Sequence, residues 1–251
     1  MLGMRWMEMP MKKASTKMSL LPALAMILVW SIFALVLTKN GAAAGGAPVF
    51  SPDKGKLVIQ LNGETIGSEQ FELSQTGNNW VAKGTTELKV PGTTAATSVS
   101  GTLMLQPDGA PISYEWTSRA DKTNGAHVVF SNGTAKITLQ MQGARPFEQD
   151  LSFNAPVIAI LDNNLYHQYA LLAKLYDWSK RGRQTFPVLI PQDLTPGTIA
   201  VEATGSQTVD GKSYEGLRVT TTDLEVLLLL DSNHRLMRLE VPSAKVSVVR
   251  Q

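Results

Sequence analysis

The three histidines, His127, His167 and His234, are the side chains in this sequence best suited to proton transfer or metal binding. No two of them stand at a metal-ligand spacing, and no HExxH helix motif occurs. His167 is the richest of the three in neighbours. It lies in YHQY between Tyr166 and Tyr169, with Asp162 five positions upstream. An imidazole beside phenols and a carboxylate has the parts for proton transfer. Read singly, each histidine is a structural residue. No GxSxG or SxxK nucleophile motif is present, nor a phosphate-binding GxxxxGK or GxGxxG loop. Cysteine is absent, which excludes a thiolate zinc site, a cysteine nucleophile and a disulfide framework. The acid pairs Glu69 with Glu72 and Glu148 with Asp150 read as solvated strand faces. A glycosidase pair would need a cleft and a shifted pKa as well. These residues assign no catalytic role, no metal and no cofactor, and the reading is of a non-enzymatic protein.

Two other groups are candidates for binding. The stretch ILDNNLYHQYALLAKLYDWSKRG, residues 160–182, has Leu165, Tyr169, Leu172 and Tyr176 at steps of four, three and four. That spacing makes one apolar stripe on a helix. Asp162 or Asn163 is its expected cap and Gly182 its expected stop. A helix of about 18 residues would be about 27 Å long. The stripe packs into a sheet or lines a pocket for a lipid or other apolar ligand, with Leu227 and Leu229 of LEVLLLL among the lining residues. The second group is basic: Lys174, Lys180, Arg181 and Arg183. It either complements the negative end of the helix dipole or meets anionic headgroups and cell-wall polymer.

The elements that must position these residues are strands. KLVIQL, ETIGSEQFEL, ISYEW and AKITLQM alternate apolar with polar residues. Asn62-Gly63 and Asp210-Gly211 are hairpin signals, SNGT joins HVVF to AKITLQM, and Gly67 marks a bulge. Turn residues recur about every 8 to 12 positions, as in an antiparallel meander. The expected fold is mainly β (α+β): ten or more strands in a curled antiparallel half-barrel, with the long helix across its concave face.

The N-terminus differs in kind. Arg5, Lys12, Lys13 and Lys17 precede LLPALAMILVWSIFALVL, residues 20–37, which carries no charge. A basic head before an apolar run is an export signal or a membrane anchor, here residues 1–40. Ala42 and Ala44 fit a cleavage site after Ala44, and residues 41–55 read as a linker before a single exported domain, 56–251. Residues 1–40 hold a net +4, and the remaining 18 basic and 20 acidic residues give −2. The near-neutral domain argues against nucleic acid as a partner.

LNGETIGSEQFEL, PISYEW, ILDNNLYHQYALLAKLYDW, TFPVLIPQDLTPGTIAVE and YEGLRV with LLLLDSNHRLMRLEVP together span residues 56–249. They resemble an exported bacterial family of unknown function, whose wrapped open barrels are loosely similar to periplasmic lipoprotein carriers. The resemblance implies an envelope location and an apolar ligand, and it brings no catalytic residues. The expected function is therefore a periplasmic module that binds or carries a lipid. The alternative is a structural protein, anchored in the inner membrane and docking another envelope component.

Overall fold

The computed structural model describes residues 49–89, 96–222 and 224–251. The N-terminal segment expected to be an export signal or anchor, with the expected cleavage site at Ala44, lies outside the described residues. Among the described residues no helix is long and apolar enough to cross a membrane.

Among the described residues fifteen strands form one sheet. They are β1 (Asp53–Leu61), β2 (Glu64–Thr76), β3 (Asn79–Leu88), β4 (Thr97–Leu105), β5 (Pro111–Arg119), β6 (Thr123–Ser131), β7 (Thr134–Met141), β8 (Phe147–Ser152), β9 (Ala159–Ile160), β10 (Gln184–Ile190), β11 (Thr195–Val209), β12 (Lys212–Thr220), β13 (Glu225–Leu230), β14 (Leu236–Val241) and β15 (Val246–Arg250). The strand order runs from β8 down to β1, then β15 down to β9. Each strand thus pairs with its neighbours in sequence except β8 with β9, and β1 and β15 splice the two halves antiparallel. The tight hairpins use Asn62-Gly63, Asn132-Gly133 and Asp210-Gly211, all at positive φ. That conformation matches the twist of the flanking strands. The bulge expected at Gly67 is present, with the β1–β2 register slipping at Ile66, next to it.

One chain connection dictates the curl. β8 and β9 are consecutive in sequence yet occupy opposite ends of the sheet. Fifteen flat strands would separate them by about 65–70 Å. The seven steps from Ser152 to Ala159 reach at most about 25 Å. The sheet must therefore roll up, and it does so without closing, because β8 and β9 do not pair. The 3-10 turn Pro191–Asp193 after β10 packs against β6.

The helix α1 (His167–Leu175) is nine residues, about 13 Å long, half the expected length. It belongs to the crossover between β9 and β10, the one parallel pair in the sheet. Parallel strands need such a connection. Asn164 at φ +62° keeps the helix from starting at Asp162 or Asn163. At the other end Tyr176 turns extended, and Trp178 folds back so that its indole N–H donates to Ala173 O at 2.9 Å. Gly182 lies in the loop beyond and caps nothing.

α1 packs into two core clusters. Ala170, Leu172, Ala173 and Tyr176 join Leu57, Ile59, Phe71, Leu217, Leu228 and Leu239. Leu165 and Leu171 join Trp80, Leu103, Tyr114, Val128 and Ile137. The expected linker ends earlier than Gly55, since Phe50 is buried in the second cluster and β1 begins at Asp53.

Candidate functional site

The segment entering α1 lies against the inner face of β2 to β5, and two glycines make that approach possible. A Cβ on Gly84 would meet the His167 ring and the Glu69 carboxylate at under 3.0 Å, and one on Gly101 would meet Leu165 in the same way. Beside them run inward side chains set by the period-two alternation of their strands: Glu69 in line with Phe71 and Leu73, Thr86 in line with Leu88, Tyr114 in line with Trp116.

Glu69 is fully buried. Its Oε2 accepts the backbone N–H groups of Tyr166 at 2.8 Å and His167 at 3.1 Å, and its Oε1 lies 2.5 Å from His167 Nδ1. α1 has neither a capping side chain of its own nor an acid in its first turn. A carboxylate from the sheet therefore does both jobs, satisfying orphan N–H groups and meeting the positive end of the dipole. The acid pair reading of Glu69 with Glu72 on one solvated face is corrected here: Glu72 faces out and Glu69 faces in.

Asp162 anchors the other half of this polar seam. Its Oδ1 accepts from Gln192 N at 2.9 Å and Asn163 N at 3.2 Å, and its Oδ2 accepts the Tyr114 hydroxyl at 2.8 Å. Gln168 closes the ring, taking Asp162 N–H on Oε1 and donating from Nε2 to Tyr114 Oη at 3.3 Å. Burial pushes the Asp162 carboxyl up to about 6 although its hydrogen bonds pull the other way. Burial, followed by the Asp162 charge, raises the Tyr114 phenol well above its ordinary value, so it stays a donor. Thr86 donates to Asn164 O at 2.6 Å. Among the described residues, the buried side-chain atoms left without a partner are His167 Nε2 and Trp116 Nε1.

A carboxylate-held imidazole with a free Nε2 is half of an acid–base device. The other half is missing. The cavity that His167 lines, with Phe71, Leu73, Ala170 and Leu171, is about 10 Å³, and so is the cavity on the other flank of α1 between Phe50, Leu103 and Leu175. Each is the size of one water, far below the several hundred Å³ of a ligand pocket. No three histidine, aspartate or glutamate side chains converge to hold a metal among the described residues. The larger hollows, of about 430, 420 and 320 Å³, are open grooves on the surface.

The structure places the expected residues as follows. Leu165, Leu172 and Tyr176 are buried core, and Tyr169 packs against the core with its phenol raised by burial to about 12. The Tyr176 hydroxyl donates to Gly182 O and accepts from Ala203 N. Leu227 and Leu229 are not lining residues of the helix–sheet space. The inward residues of β13 are Val226, Leu228 and Leu230, and strand alternation puts Leu227 and Leu229 on the opposite face, where Leu229 is nonetheless buried. The basic group is dispersed, because Lys180, Arg181 and Arg183 follow the end of α1. Lys174 donates to Asn233 O, Lys180 pairs with Asp177 at 2.8 Å and Arg181 with Glu215 at 2.8 Å, while Arg183 is exposed. His127 faces solvent beside Glu115, and His234 stacks on Trp178 with ring centres 4.0 Å apart.

No family model matches this chain, and no curated protein matches it. Among solved structures it is similar to a beta-barrel-like protein of the domain of unknown function DUF1849 from Brucella abortus. The TM-score is 0.52 at 12% identity, over 80% of this chain and 94% of that one. A DUF1089 family protein from Pseudomonas aeruginosa aligns with a TM-score of 0.45 at 9% identity, over 70% of this chain and 90% of that one. The first likeness bears on fold alone: a large, open, barrel-like antiparallel sheet with one helix, as in a protein of unknown function.

Proposed function

We propose that this chain is a non-enzymatic interaction module of the cell envelope, delivered there by its basic and apolar N-terminal segment and working through its outer surfaces. The filled interior carries this reading. The helix, its two core clusters and the Glu69 and Asp162 seam leave no room for an acyl chain beside α1. A lipid would have to displace the helix and break hydrogen bonds to two buried carboxylates, at about 1.5–3 kcal/mol for each bond to a charged group. Near the free end of the sheet Val129 on the outward face, and Met141 and Phe147 at the end of the inward row, are exposed apolar surface.

The test is native mass spectrometry of the chain isolated from a bacterial envelope, beside in-cell crosslinking. A lipid-free mass with a reproducible protein crosslink is the expected result. A stoichiometric mass that organic extraction identifies as lipid overturns the proposal in favour of a carrier.

A further inference from the structure

We infer that β8 is a docking edge, built to accept an extended polypeptide segment with alternating apolar and basic residues as a further strand. The inference rests on the interaction-module reading and names the partner's chemistry. β8 ends the sheet, and among the described residues no strand pairs with its outer edge. Its free N–H and C=O groups form a template for one more strand. Four of the six residues of β8 are exposed.

The side chains say which strand fits. In register with the inward residues of β7, Phe147 faces Leu139 and Leu151 faces Ala135. Phe147 is 47% exposed and Met141 43%, so apolar side chains reach the edge at both ends of this row, on either side of Gln149. The outward residues of β8 are Glu148 and Asp150, both exposed. Neither side chain takes part in a hydrogen bond or an ion pair among the described residues, although Lys136 of β7 stands opposite Asp150 in the ladder and Glu148 has only Thr138 there. A strand added here meets Phe147 and Leu151, with Gln149 between them, on one face and the acids Glu148 and Asp150 on the other. A second copy fits poorly, because the central antiparallel register that keeps both inner faces together sets Glu148 opposite the copy's Asp150. An incoming strand with lysine or arginine at alternate positions removes that conflict.

The experiment uses the full chain in nonionic detergent, hydrogen exchange read by mass spectrometry, and two end-blocked seven-residue probes. One alternates valine with lysine, the other valine with glutamate. The expected result is slowed exchange in residues 147–152 with the lysine probe alone. In the variant Glu148→Lys with Asp150→Lys, both on an exposed face, the preference reverses, with about a tenfold change in relative affinity. Equal slowing by both probes, no slowing in 147–152, or an unchanged preference in the variant overturns the edge assignment. The two readings fail separately. A partner crosslinked elsewhere on the surface leaves the module standing without this edge, and a lipid-loaded chain removes the module whatever the probes do.

Discussion

Replacing Asp162 with Asn should remove a pH-dependent loss of stability from this protein. The carboxyl has a folded-state pKa of about 6 against an ordinary 3.8, chiefly because it is buried. Below about 3.8 both the folded and the unfolded chain hold the proton. As pH rises from there to about 6, the unfolded chain releases it and the folded one keeps it, so stability falls. Above about 6 the loss is complete. A gap of about two units at 1.36 kcal/mol each amounts to about 3 kcal/mol. Asparagine imitates the protonated acid. Its Oδ1 still accepts from Gln192 and Asn163, and its Nδ2 donates to Tyr114 Oη, where Oδ2 now accepts. Urea unfolding of both proteins at steps from pH 4 to pH 7 measures the difference. The wild type should lose about 2.5 kcal/mol more than the variant over that range, all other titrations being shared. Parallel curves would show that Asp162 has no raised pKa, and the account of the seam as a buried, desolvated network would then be wrong.

Other outcomes follow from the same packing. Leu172→Ala, at a position 1% exposed, should cost about 2–5 kcal/mol in urea unfolding without altering any surface contact. Gly84→Ala should destabilise far more than Gly182→Ala, since a Cβ at 84 collides with His167 and Glu69 while one at 182 meets nothing nearer than 3.7 Å; thermal melts of the pair decide it. Glu69→Ala should cost about 3 kcal/mol or more, because two backbone N–H groups and an imidazole lose a buried acceptor. Hydrogen exchange should then show faster opening at the start of α1.

The strands were legible because their signal is local. Alternation over six to ten residues and an Asn-Gly or Asp-Gly pair are complete instructions for a hairpin, and the meander is hairpins end to end. The helix was half legible. Leu165, Tyr169, Leu172 and Tyr176 keep helical spacing over three turns, but only the middle of that run is helical. Its ends are decided by distant partners: Asn164 held left-handed where Thr86 reaches its carbonyl, and Trp178 turned back onto Ala173 O. Spacing reports which side chains face the core. It does not report whether the backbone between them is helix, because an irregular segment that crosses a concave sheet must bury the same residues.

The seam was hidden for a different reason, although half its signal was in plain view. Period two from Leu73 and Phe71 lands on Glu69, so the alternation that predicted the strand also predicted a buried glutamate. A lone buried carboxylate is costly, and reading the pattern to its end would have demanded a partner elsewhere in the chain. The partner is 98 residues away: the N-terminus of a helix with no acid or cap of its own. Neither anomaly has a local explanation, and each supplies what the other lacks. Gly84 and Gly101, in strands where glycine weakens packing, mark where the two must meet. His167 stood out in the sequence for its neighbours Tyr166 and Tyr169, yet in the fold its polar contact is Glu69, and this pairing docks the start of α1 on the sheet.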